Sequence, residues 1–172
     1  NQWIGVFYDP LGRVTSERLL AGSGTQDQSL VRSYQNLFDD GQSPSVYSPT
    51  GGTLLLENTY DSYPTNLSSA ESFSADGLNV SYDTRTKSLL TVQRIARITE
   101  NGVGSSMCRR VFYYDSYGNV LQTVEKDGLR TLRHTSVRDL LGNVLTDRQT
   151  VTRSNVTDTW QTDYTYDPRG RV

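Results

Sequence analysis

The chain has 172 residues, a net charge of −2 and a mean hydropathy of −0.58. That length suits one domain, and the near-neutral balance leaves no electrostatic footprint for nucleic acid or an anionic membrane. Only 34% of residues are hydrophobic, yet 17 aromatics spread along the chain argue against disorder and for a sheet with one wetted face.

The first element is a strand running into Tyr8-Asp9-Pro10-Leu11-Gly12-Arg13-Val14. This segment recurs as Tyr114-Asp115-Ser116-Tyr117-Gly118-Asn119-Val120, as Arg138-Asp139-Leu140-Leu141-Gly142-Asn143-Val144, and as Tyr166-Asp167-Pro168-Arg169-Gly170-Arg171-Val172. The shared signature is aromatic-Asp-x-x-Gly-(Arg/Asn)-Val, with Arg138 replacing one aromatic. Asp opens a type I turn by accepting backbone hydrogen bonds, Pro suits the second position, and Gly the fourth. A Gly of positive φ followed by a bulge completes a β-hairpin tip. Tyr8, Asp9, Gly12, Tyr114, Asp115, Gly118, Asp139, Gly142, Tyr166, Asp167 and Gly170 are therefore read as structural turn residues. Most aspartates are thereby assigned to turns rather than to catalysis.

Residues 1–110 form a degenerate region. Gly22-Ser23-Gly24, Asp39-Asp40-Gly41, Ser48-Pro49-Thr50-Gly51-Gly52, Asp76-Gly77 and Asn101-Gly102 are turn or loop signals. Apolar segments lie at Val14–Ala21, Thr53–Tyr60, Leu78–Tyr82, Leu89–Thr99 and Met107–Tyr114, and Ser-rich Tyr63–Ala75 reads as a loop. Leu30, Val31, Tyr34, Leu37 and Phe38 fall at helical spacing behind the N-cap candidates Asp27 and Ser29. A short helix over 29–38 competes there with a further strand, which the repeat context favours. Tyr60-Asp61 and Tyr82-Asp83 are weak copies of the signature without its Gly.

Residues 111–172 are regular. Asp127-Gly128 predicts a turn at 127–128 between strands near Asn119–Lys126 and Leu129–Arg138. The next strand spans about Asn143–Arg153, turns at Ser154-Asn155 and returns through Trp160–Tyr166. Signature turns would line one sheet edge and plain turns the other. The fold class is all-β, antiparallel hairpin repeats in an extended, curved or spiral sheet.

Few residues of the chain form a chemical motif. His134 is the only histidine and has no adjacent nucleophile motif, while the single Cys108 excludes an internal disulfide and reads as a strand residue. Asp39-Asp40-Gly41 lacks the alternating oxygen ligands of a calcium loop, and the Gly pairs lack a phosphate-loop lysine. No metal, cofactor or catalytic residue is assigned, and no run is apolar enough for a membrane-spanning helix. The sequons at Asn66, Asn79 and Asn155 read as chance matches in a Ser/Thr-rich chain. Trp3 and Trp160 are the candidate stacking platforms for a sugar, against packing as sheet glue. The start at Asn1 and the stop after a signature at Val172 fit a piece of a longer protein, with open edges that favour self-association.

The signature resembles the Rhs or YD-repeat family, with unit consensus Tyr-Asp-x-x-Gly-Arg-(Leu/Val). Phe112–Val124 is similar to the form in Bacteroidetes surface members, and Tyr82–Thr91 resembles a second segment, with Ser88 where Gly is usual. The resemblance implies a large secreted or cell-surface protein whose repeats wind a β-sheet shell. Such shells enclose or display another domain, in toxin delivery, intercellular competition or adhesion. It implies a non-enzymatic scaffold, whose partners are further repeats of its own polypeptide and a C-terminal effector domain. The alternative is a carbohydrate- or receptor-binding β module using exposed aromatics.

Overall fold

The computed structural model describes residues 2–21, 52–100, 102–167 and 170–171. Every regular element among them is a strand: β1 (Gln2–Tyr8), β2 (Val14–Ala21), β3 (Thr53–Tyr60), β4 (Leu90–Thr99), β5 (Gly102–Tyr114), β6 (Val120–Asp127), β7 (Arg130–Arg138), β8 (Val144–Arg153) and β9 (Val156–Asp163). Strand order follows chain order from β1 to β9, so the sheet is an antiparallel meander of neighbouring hairpins. The expected all-β antiparallel class is therefore observed. The segment 29–38 and its helix-or-strand question lie outside the described residues, as do Asn1 and Val172.

The signature turns share one hydrogen-bond pattern. In each, the Gly N–H donates to the Asp carbonyl at 2.9–3.1 Å, for Gly12, Gly118, Gly142 and Gly170. The Asp N–H in turn donates at 2.9 Å to the carbonyl of the residue after Gly: Arg13, Asn119, Asn143 or Arg171. All four glycines have positive φ, between 74° and 88°. The bulge enters one pair beyond the turn, where Thr15, Leu121 and Leu145 are the extra residues of β2, β6 and β8.

Plain turns close the other ends. Ser154 and Asn155 both adopt positive φ (46° and 70°), the demand of a type I′ hairpin, and Arg153 pairs with Val156 across them. The turn expected at 127–128 sits one residue later. Asp127 pairs with Arg130, so Gly128-Leu129 forms the loop. Gly128 takes φ 59° at the first loop position, as a type II′ turn requires.

The residues group into two compact units, Asn1–Asn58 with Arg94–Met107, and Thr59–Gln93 with Cys108–Val172. This division differs from the expected one at 110/111, because the insert between β3 and β4 belongs with the regular hairpins. The first unit is held by the β1–β2 ladder, an Arg94–Glu57 ion pair at 2.7 Å and a bond from the Asn58 amide to the Val14 carbonyl. The second holds the core: Val92, Val111, Tyr113 and Val124 are buried, with Tyr63, Leu67 and Phe73 packed on them. Leu78–Tyr82, an apolar segment in sequence, forms no strand and belongs to the insert covering that core.

The open space around Gly118 and Gly142 means that strain alone opposes a side chain there. A β-branched residue at this φ costs roughly 1–2 kcal/mol. Gly118→Val and Gly142→Val should each lower the thermal midpoint, whereas Gly118→Asn should lower it less. Equal midpoints for parent and both Val variants would contradict the turn geometry.

Candidate functional site

The aspartate of each signature turn is fully engaged. At Asp9, Oδ1 accepts the Leu11 and Arg13 N–H groups, both at 2.9 Å, while Oδ2 accepts Arg13 Nε at 2.6 Å. At Asp115, Oδ1 takes the Tyr117 and Asn119 N–H groups and Oδ2 the Asn119 side-chain amide at 3.0 Å. Asp139 repeats this with Leu141 and Asn143, and Asp167 with Arg171. The Asn143 amide, helped by the backbone N–H groups, holds the Asp139 carboxyl below its ordinary range. Arg and Asn alternate at this position because both can donate to Oδ2, a reason the sequence reading missed.

The tyrosines also have a fixed task. Tyr166 Oη donates to the Val144 carbonyl at 2.9 Å, and Tyr114 Oη to the Leu90 carbonyl at 2.5 Å. Val144 leaves the preceding signature turn. Leu90 leaves the β3–β4 connection, which exposes what that connection is. The Asp61 N–H donates to the Leu89 carbonyl at 3.0 Å, Asp61 Oδ1 accepts the Ser88 N–H at 2.6 Å, and Ser88 has φ 69°. Asp61, Ser88, Leu89 and Leu90 thus stand where Asp, Gly, Arg/Asn and Val stand elsewhere. Asp61 and Ser88–Leu90 therefore close the connection around residues 62–87 with the same backbone bond as a signature turn, although the Ser88 N–H goes to Asp61 Oδ1 and the Leu89 N–H to the Thr86 carbonyl. Ser88 does fill a glycine position, but its aspartate is Asp61 and not Asp83. Asp83 instead binds Arg85 locally, which draws its carboxyl down to about 2, and its N–H bonds the Tyr114 carbonyl at 2.8 Å.

The insert carries the most unusual chemistry of the described residues. Glu71 is 1% exposed and grips Arg109 through two bonds, one of them Nη2 to Oε2 at 2.5 Å. Oε2 also accepts the Ser68 N–H at 3.0 Å and the Ser68 hydroxyl. The Tyr113 hydroxyl donates to the Glu71 carbonyl at 2.9 Å. Burial alone would raise the Glu71 pKa, but the bonds from Arg109 and Ser68 outweigh it and bring the carboxyl to about 2. A Ser-x-x-Glu spacing at 68–71 was the legible signal, since it lets Glu reach back to the Ser N–H. A second anchor is Gln122, fully buried, whose amide donates to the Ser74 carbonyl and to Thr135 Oγ1, both at 2.7 Å.

Tyr63, Phe73, Tyr82 and Tyr113 interlock, with ring centroids 5.0–5.8 Å apart. Burial pushes the Tyr113 phenol up to about 12 and Tyr63 also upward, so neither ionises as a base near neutral pH. These aromatics are internal glue.

His134 Nε2 lies 2.6 Å from Asp147 Oδ1, which also accepts the Ser136 hydroxyl at 2.7 Å. The carboxylate stands between imidazole and hydroxyl, whereas a nucleophilic serine needs the imidazole in the middle. Cys108 lies half-buried in β5, as read from sequence. No group of three metal-binding side chains occurs among the described residues. Trp160 is exposed on β9, while the side chain of Trp3 lies outside the described set. No family model, no curated protein and no solved structure matches this chain.

The Glu71–Arg109 pair sets an acid limb of stability. The unfolded chain takes up the Glu71 proton near 4.5, the folded chain only near 2, so the contribution is complete above about pH 4.5 and drains as pH falls. Glu71→Gln should flatten that limb in urea unfolding between pH 5 and pH 2, relative to the parent. Arg109→Ala at neutral pH should cost about 3–5 kcal/mol, because it leaves a buried carboxylate unpaired. A loss below about 1 kcal/mol would place this pair among ordinary surface bridges.

Proposed function

We propose that this chain is a non-enzymatic structural repeat segment of a large secreted or cell-surface protein of the YD-repeat type. In this reading it forms part of a β-sheet shell or stalk that encloses or displays another domain, in toxin delivery, intercellular competition or adhesion. Its partners are further repeats of the same polypeptide and an effector domain beyond them.

The observation that carries the reading is the repeated turn. The Asp–(Arg/Asn) clamp recurs at 9–13, 115–119, 139–143 and 167–171, and at Asp61–Leu89 the backbone closure recurs without the clamp. The tyrosine of one turn ties to the strand leaving the turn before it, as Tyr166 does to Val144. At Tyr114 and Tyr166 that link ties one hairpin to the one before it, the neighbour contact by which repeat arrays gain stability. The polar groups that a reaction would recruit are occupied: the turn aspartates by backbone, Glu71 by Arg109, and Asp147 by His134 and Ser136.

A repeat scaffold tolerates an added unit, whereas an isolated fold of fixed size does not. Duplicating Val120–Asn143 directly after Asn143 preserves every turn junction, because the new Asn143-Val120 step reproduces Asn119-Val120. The enlarged chain should fold with more β signal per molecule and an undiminished thermal midpoint; aggregation or unfolding would count against the repeat reading. Antibodies raised to the chain should label intact cells of its source or its culture supernatant. Labelling only after permeabilisation would remove the surface assignment.

A further inference from the structure

Strand β9 closes the order of the sheet, and its outer side has no neighbouring strand among the described residues. All eight of its residues are exposed. Its ladder with β8 runs without a bulge from Thr146–Asp163 to Arg153–Val156, and it carries no proline or lysine. Bulges, prolines and lysines are the usual guards of a sheet edge, so this edge stays competent to pair. The signature turn at 167–171 keeps the bond from the Asp167 N–H to the Arg171 carbonyl that its counterparts have. In those counterparts the strand leaving the turn pairs back along the strand that entered it, from Tyr114–Val120 and Arg138–Val144 onward. A strand leaving the turn at 167–171 in the same way runs along the open side of β9.

The edge is also acidic. β9 holds Asp158 and Asp163 and no basic residue. In the row Arg110, Glu125, Leu132, Val151 and Asp158, the first two pair at 2.6 Å, while Asp158 has only Val151 as its register partner. Asp163 faces Thr146 and accepts from its hydroxyl at 2.9 Å. Trp160 lies between the two acids and is 58% exposed. The β7–β8 register carries over to this turn with Tyr166 in the place of Arg138. Asp163, Trp160 and Asp158 then correspond to Thr135, Leu132 and Arg130, whose partners are Arg148, Val151 and Arg153. A β8-like strand thus sets one arginine opposite each acid and a β-branched residue opposite the indole, all favourable cross-strand pairs. β2 likewise places Arg18 at the position that meets Asp163, whereas β6 places Val124 there.

We propose that the open edge of β9 is the docking surface for a basic antiparallel strand of the same repeat type, with one cation opposite Asp163 and a second opposite Asp158. This rests on the scaffold reading, which supplies such a strand, and adds a selection rule to it. Main-chain bonds attract a strand of any sequence, and the paired charges decide which one is accepted. A second copy of the chain is a poorer occupant. Two β9 edges are both acidic, and β1, at the other end of the strand order, has no charged residue from Gln2 to Tyr8.

The test extends the chain after Val172 with a second copy of Leu145–Arg153, so that Val172 takes the place of Val144. Hydrogen exchange of the β9 amides is the readout, with exchange in β6 and β7 as the reference for an intact fold. The extension should slow β9 exchange by about tenfold or more relative to the original chain. An extension whose copy carries Arg148→Glu and Arg153→Glu should protect at least about fivefold less, and the gap should narrow at high salt. Adding Asp158→Arg and Asp163→Arg to that form should restore the protection, since the charges are then exchanged and not removed. If this swap disturbs the reference strands, the Glu-bearing extension alone decides. Equal protection by both extensions, or a folded swap without rescue, overturns the charge rule and leaves the scaffold reading standing. Protection by neither shows that the edge takes no strand, and the scaffold reading falls with it.

Discussion

A carboxylate that collects two backbone N–H groups and one side-chain donor is a small device, yet the sheet is organised around its repetition. The Asp side chain bonds the backbone two and four residues on, which bends the chain back at a fixed place. The donor after Gly then closes the free oxygen of the same carboxylate, so neither oxygen at the tip is left without a hydrogen bond. With reversal points fixed, strand register follows, since a slip of one residue would turn every side chain to the wrong face. Tyr114 and Tyr166 extend this order from within a hairpin to between hairpins.

Above that frame sits a core that is small and unusually polar. Four buried residues and three partly buried ones form its apolar part, while Glu71, Thr91 and Gln122 are buried beside them. Such groups destabilise unless every one is bonded, and here each has partners within reach. Thr91 Oγ1 reaches the Thr59 and Ser62 carbonyls at 3.0 and 2.7 Å, and Gln122 bonds both Ser74 and Thr135. Polar bonding therefore does here what extra apolar area does in a richer core. It fixes a single seating of the insert, because amide and carboxylate bonds are directional where methyl contacts are not.

What could be read from the residues divides by distance along the chain. The apolar segments Val14–Ala21 and Thr53–Tyr60 are strands with the same bounds, and Ser154-Asn155 turns where expected, since apolar patterning and turn chemistry are local. The loop expected at 127–128 lies one residue later because Asp-Gly and Gly-x both make two-residue loops, and only the pairing of Asp127 with Arg130 separates them. The covering role of 62–87 was illegible for a different reason. Its anchors join residues 38 and 48 positions apart, Arg109 with Glu71 and Gln122 with Ser74, and no short-range pattern encodes such a pairing. Serine content marked the segment as loop, which its backbone is, and hid that Tyr63, Leu67 and Phe73 within it close the core. Trp160 was legible as a candidate platform, but its place on the open edge of the sheet required the strand order.

The opened turn has an evolutionary consequence. Twenty-six residues, Ser62 to Lys87, were accommodated between an Asp and its Gly-equivalent while the backbone bond from Asp61 to Leu89 stayed closed. Because the two stems are clamped by the flanking strands, the entropy of closing such a loop grows only with the logarithm of its length. Each signature turn is in this sense a socket: a lineage can lengthen it, fill it or trim it without renegotiating the ladder on either side. A sheet with regularly spaced sockets can acquire new surfaces one hairpin at a time.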